Sequence, residues 1–173
     1  MNLSRRLSGL LVVILALPLS ISAASAQSVR VLGDFNAWSA YSASGDGSGK
    51  LCFVLSKPED VRPSPDGYTQ SYLYLTHRPA EGVRYEFNFV AGFDLAPERS
   101  PQVRIGAQSF DLFIDGAAAW LDNPALSEDV AGLMRAGASM TINVTAADGT
   151  EVAETYSLSG VTAASRAIDR ACN

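Results

Sequence analysis

The chain has 173 residues, 18 of them acidic and 13 basic, for a formal charge of −5, and 47% of its residues are hydrophobic. That length suits one domain with a sizeable core. The acidic balance argues against nucleic acid or an anionic membrane as partner, because their phosphates repel it. One histidine and two cysteines leave any zinc or copper site resting on carboxylates, so no metal and no cofactor are expected.

Residues 1–26 read as an export signal. Arg5 and Arg6 supply the charged region, Leu10 to Leu19 the apolar core, and Ala24-Ser25-Ala26 the small-residue cleavage pattern. The mature chain is therefore expected to begin at Gln27 and to form a single domain over residues 27–173. The apolar run is short and broken by Pro18, which argues against a membrane anchor. Ser8 stands where a twin-arginine signal would carry an aromatic, so the general export route is favoured. No cysteine follows the cleavage site, and no second apolar run is long enough to span a bilayer. A periplasmic or secreted, soluble protein is the expectation, with a charge of −7 once Arg5 and Arg6 are removed.

In chain order, Val29–Phe35 reads as a strand with a bend near Gly33. Trp38–Ser42 and Lys50–Ser56 read as a hairpin around the glycine-rich turn Ser44–Gly49. Lys57–Gln70, with Pro58, Pro63, Pro65 and Asp66-Gly67, reads as a loop. Ser71–Thr76 is a further strand. In Val83–Val90, Val83, Tyr85, Phe87 and Phe89 alternate with Arg84, Glu86 and Asn88, the pattern of a strand with one buried face. Gln102–Ile105, Ser109–Ile114 and Ala117–Leu121 follow as strands. Asn123-Pro124 opens a helix with an apolar stripe of Leu126, Val130, Leu133 and Met134, ended by Gly137. Met140–Thr145 and Val152–Leu158 pair across Asp148-Gly149. Val161–Cys172 is the last helix, with Val161, Ala164, Ile168 and Cys172 on one face. Many short strands and two short helices, one of them C-terminal, predict an all-β fold, an antiparallel β-sandwich or flattened barrel.

No catalytic constellation emerges from the residues. Gly45–Lys50 resembles a phosphate cradle, but Ser44 and Leu51 occupy the positions where a P-loop needs glycine and a hydroxyl. A serine triad around His77 would need a partner, and no Gly-x-Ser-x-Gly elbow occurs, so His77 reads as a dispensable surface residue. Asn143-Val144-Thr145 matches a glycosylation acceptor but lies within a strand. Trp38, Tyr41, Tyr72, Tyr74 and Trp120 suit core and sheet packing better than a binding surface. Cys52 and Cys172 are the only thiols of an exported chain, so they are expected to pair. Cys52 faces away from Phe53, so the two sulfurs would meet where the terminal helix crosses the second or third strand.

Phe35-Asn36-Ala37-Trp38, Gly49-Lys50-Leu51-Cys52-Phe53, Ser56-Lys57-Pro58, Arg78-Pro79 with Gly82-Val83, and Phe110-Asp111-Leu112-Phe113, in that order along the chain, resemble the invasion-associated locus B family. Met134-Arg135-Ala136-Gly137 with Met140, and the stretch Tyr156 to Ala164, extend the resemblance over nearly the whole mature chain. It implies a periplasmic or secreted β-sandwich of a Gram-negative bacterium, with no catalytic residues to carry across. The function expected is non-enzymatic binding of a protein or envelope component. An envelope hydrolase and a periplasmic chaperone or stress protein are the alternatives.

Overall fold

The computed structural model describes residues 28–45 and 49–172; residues 1–27, on which the export-signal reading falls, residues 46–48 and Asn173 lie outside them. Among the described residues the strands are β1 (Ser28–Phe35), β2 (Trp38–Gly45), β3 (Gly49–Ser56), β4 (Asp60–Arg62), β5 (Tyr72–Arg78), β6 (Val83–Val90), β7 (Gln102–Ile105), β8 (Gln108–Asp115), β9 (Ala118–Leu121), β10 (Ser139–Thr145) and β11 (Glu151–Ser157). The helices are α1 (Ser127–Ala136) and α2 (Val161–Ala171).

All strand pairings are antiparallel, in the order β1-β2-β3-β5-β6-β9-β8-β7-β10-β11-β4. The sheet does not close on itself. It folds over at β8, whose first half pairs with β7 and whose second half pairs with β9. The result is a sandwich-like fold with two layers: β1, β2, β3, β5, β6 and β9 on one side, and β7, β10, β11 and β4 on the other. One segment read as a loop contains a short strand: Asp60–Arg62 adds β4 to the edge of β11, pairing with Ala153–Thr155. The prolines around it kept that strand too short to show in the sequence.

The core lies between the layers. Trp38, Leu73, Leu75, Phe87, Phe89, Leu112, Met140 and Ile142 are fully buried there. Trp38 ties the layers by donating from Nε1 to the Ser157 carbonyl at 2.9 Å. A second tie is polar. Glu154 on β11 is completely buried, accepting from Ser71 Oγ at 2.6 Å and from Tyr156 Oη at 2.7 Å. The Ser71 hydroxyl in turn accepts the Gly92 N–H at 2.9 Å. Every member of this network has a partner, the condition under which buried polar groups are tolerated.

Asn123 opens the α1 region as read, its side chain accepting from the Ala125 N–H at 3.1 Å. A 3₁₀ turn over Pro124–Leu126 precedes α1 proper, which buries Val130, Ala131 and Met134. The apolar face of α2 packs on the inner side of the first layer, burying Val161, Ala164, Ala167 and Ile168. Gly160 makes that docking possible. Its φ of +95° is costly for any residue with a Cβ, and a Cβ there would collide with the Phe35 carbonyl oxygen. The junction between strand and helix thus sits directly on the β1–β2 turn, where Ala37 N–H also donates to Ser159 O.

Cys52 and Cys172 form a disulfide with Cα atoms 6.0 Å apart, fixing the end of α2 to β3. The bridge spans 120 residues of sequence, and a loop of that size contributes about 4–5 kcal/mol in the chain-entropy account. Replacing both cysteines by alanine is expected to destabilise the fold by about 2–5 kcal/mol. Denaturant unfolding measures this, and thiol labelling of unreduced, denatured protein should find no free cysteine. Gly160→Ala should cost about 2–4 kcal/mol, from a strained φ plus a forced shift of backbone; its thermal midpoint should fall well below that of Gly149→Ala, where a Cβ meets open space.

Candidate functional site

The single histidine is not on the surface. His77 is 1% exposed, because it stands directly opposite Cys52 in the β3–β5 register and therefore points inward beneath α2. The reading of His77 as a surface residue is corrected by that register: the end of β5 lies beneath α2, a helix far along the chain. Asp169 of α2 lies 3.8 Å from Nε2, a partner that no local sequence pattern could have revealed. Neither imidazole nitrogen has a hydrogen-bond partner among the described residues.

Tyr85 completes this cluster. Its hydroxyl donates to the Asp169 carboxylate at 2.7–2.8 Å, and its ring meets the imidazole edge-on at 4.4 Å. The clean alternation of Val83–Phe89 predicts a regular strand here. Instead the pairing slips between Thr76 and Arg78, and Tyr85 adopts φ +49°. Such a bulge re-aims a side chain and is found where position matters more than regularity. Arg84 reaches Asp169 at 3.2 Å and Glu128 of α1 at 3.1 Å, and the Arg135 guanidinium lies 5.1 Å over the Tyr85 ring. Burial and the Asp169 hydrogen bond push the Tyr85 hydroxyl up to about 12, so it stays a donor. Burial, with Arg84 beside it, holds His77 below its ordinary value, against the opposing pull of Asp169 and Glu128. The group seats the helix, and among the described residues no side chain is hydrogen-bonded to His77.

The exposed side of the first layer is different. Leu55, Tyr74, Asn88, Trp120 and Phe113 are successive cross-strand partners on β3, β5, β6, β9 and β8. Beside them run Val31, Tyr41, Phe53 and Thr76 on β1, β2, β3 and β5. Directly opposed residues of an antiparallel pair project to the same face, so both rows form one band on the outer surface. Tyr41 stacks on Phe53 at 5.1 Å, Phe53 meets Tyr74 at 6.0 Å, and Tyr72 meets Tyr74 at 6.3 Å, with the Lys57 ammonium 5.7 Å from the Tyr72 ring centre. Desolvation and the neighbouring Tyr72 and Tyr41 raise Tyr74, which keeps its proton. At the band's end a notch of about 200 Å³ lies among Phe87, Phe113, Trp120, Leu121 and Pro124. Of the five aromatics singled out in the sequence, Trp38 packs in the core, while Tyr41, Tyr72, Tyr74 and Trp120 lie on the outer side of the sheet, where the three tyrosines pack against one another and Phe53. The missed signal was Tyr72-Leu73-Tyr74-Leu75, which is apolar on both faces although only one can face the core.

The outer side of the second layer carries a polar groove of about 450 Å³, lined by Arg62, Gln102, Asn143, Thr145 and Glu151. Asn143 of the glycosylation-like triplet is exposed there, in the middle of β10. Of the segment 45–50, Gly45 ends β2 and pairs with Gly49 at the start of β3, so a strand follows where a phosphate cradle would require a helix. Among the described residues no group of three histidine, cysteine or acidic side chains is placed to hold a metal ion, and no helix is long and apolar enough to cross a membrane.

These features define an open, mostly antiparallel sandwich with a disulfide-tethered C-terminal helix and an aromatic outer face. Its fold is similar to the crystal structure of invasion associated protein B from Bartonella henselae, with a TM-score of 0.59 over 83% of this chain and 99% of that one. At 16% identity the likeness establishes a shared fold. No family model and no curated protein matches the sequence.

The buried carboxyl of Glu154 supplies a test of the inter-layer network. Burial raises it from an ordinary 4.5, more than the Ser71 and Tyr156 hydrogen bonds lower it. Its contribution to stability is then fully present below pH 4.5 and lost as pH rises through the folded value. Relative to the unsubstituted protein, Glu154→Gln should lose less stability between pH 4.5 and 7.5, measured by urea unfolding at each pH.

Proposed function

We propose that the chain is an exported, non-catalytic protein of the invasion-associated locus B type that binds a protein partner of the cell envelope through its aromatic outer face. The observation that carries this reading is the row from Leu55 to Phe113, in register across five strands, in which Leu55, Tyr74, Trp120 and Phe113 are apolar or aromatic and Asn88 between them is buried. Phe113 is 46% exposed within it. Contiguous apolar surface of this kind on a folded domain marks interaction sites, and tyrosine and tryptophan are enriched at protein interfaces. The stacking of Tyr41 on Phe53 uses ring faces against each other. What remains for a partner is ring edges and hydroxyl groups, which suits protein better than a sugar ring seeking a flat platform.

Export is supported by the three-part N-terminus and by a disulfide, which persists in oxidising compartments. The non-catalytic reading is supported by the sealing of His77 beneath α2 and by a polar groove that holds no histidine.

The test is capture from envelope extract by the mature protein beside two variants. Tyr74→Ser combined with Trp120→Ser should abolish capture of any partner, while Arg104→Ala on the opposite layer should leave it unchanged. Equal capture by all three proteins, or turnover of an ester or glycan panel by the mature protein, would overturn the proposal.

A further inference from the structure

His77 is the only histidine of the chain, and it lies under the helix that the disulfide tethers. Around it the charged and titratable groups come from every neighbouring element: Arg84 and Tyr85 from β6, Asp169 from α2, Glu128 and Arg135 from α1. On β3 the facing residue is Cys52, held in the disulfide. Three further features make the seat of α2 finely balanced. Among the described residues both imidazole nitrogens lack hydrogen-bond partners, and so do the buried atoms Arg135 Nη1 and Ser165 Oγ on the two helices. Asp169 already serves Tyr85 and Arg84. Tyr85 reaches it only by way of a bulge at positive φ.

We propose that this seat is an acid-sensitive latch, in which protonation of His77 loosens α2 from the sheet while Cys52–Cys172 keeps its end attached. An imidazole nitrogen takes up one solvent proton. The imidazolium then competes with Tyr85 for Asp169 from 3.8 Å, and it places a second positive charge beside Arg84 in a buried site. Opening the helix returns the charged ring to water. The direction of the linkage agrees with this geometry. A histidine held below its ordinary 6.5 contributes stability that is complete above that pH and lost as pH falls through the folded value. The disulfide changes the outcome from global unfolding to local release, because Cys172 follows α2 directly.

Hydrogen exchange of the mature protein at pH 7.5 and pH 5.0 tests the latch. Protection of α2 amides should fall by about threefold or more at pH 5.0, with β10 and β11 unchanged. The fall should be absent in His77→Gln, which bears no charge at either pH. With one histidine in the chain, the imidazole C–H signals in NMR report this group alone; their midpoint should lie below 6.5 and coincide with the loss of α2 protection. Unchanged α2 protection in the unsubstituted protein, a loss that persists in His77→Gln, or an imidazole midpoint at or above 6.5 would each overturn the latch. If His77→Gln does not fold, the imidazole midpoint and the α2 exchange of the unsubstituted protein decide the matter between them.

Discussion

The attachment of α2 to the inner side of β2 and β3 is the contact on which the first layer depends. Strands β1, β2 and β3 all pack against the helix on their inner side. Val161, Ala164 and Ile168 supply the apolar burial. The covalent link at Cys52 and Cys172 removes the freedom of a chain end that would otherwise fray. At the other end Gly160 sets the helix onto the Phe35 carbonyl with no room for a side chain. The helix is therefore fixed at both ends by different means, one covalent and one steric. Between them lies the charged cluster of Asp169, Tyr85, Arg84 and His77, the least well-satisfied part of the contact.

The two layers divide their duties by face. Inward, both layers are mostly apolar; the polar exceptions include the satisfied Glu154 network and His77 beneath α2. Outward, the second layer presents threonine, asparagine, glutamine and arginine, while the first presents tyrosine, tryptophan and phenylalanine. A sheet that met only solvent on both outer faces would not need this asymmetry. The binding reading rests on it, and the fold shared with the Bartonella protein adds a scaffold without adding a site.

Much of the fold was legible because it is written locally. Asp148-Gly149 announced the β10–β11 hairpin, Asn123-Pro124 the α1 region, and the three–four–four spacing from Val161 to Cys172 the docked face of α2. The pairing of the cysteines followed from there being two of them. What was not legible depends on distant segments meeting. His77 looked exposed because the residues that bury it come from α2. Tyr85 looked regular because a bulge is a property of two strands. The aromatic band was hidden for a related reason: Tyr41, Tyr74 and Trp120 are far apart in sequence and become neighbours only through the order β2-β3-β5-β6-β9.

An open sheet has two unpaired margins, and both are blunted. At one margin the pairing of β1 is interrupted by a register shift between Val31 and Gly33, beside Val29 and Val31, which are 61% and 58% exposed. At the other, β4 has three residues, includes an arginine and is followed by Pro63. Interruptions, charge and brevity of this kind deny a second chain the long flat template that stacking into fibrils requires. The topology thus keeps an open architecture while breaking up the run of free backbone that each rim offers for edge-to-edge pairing.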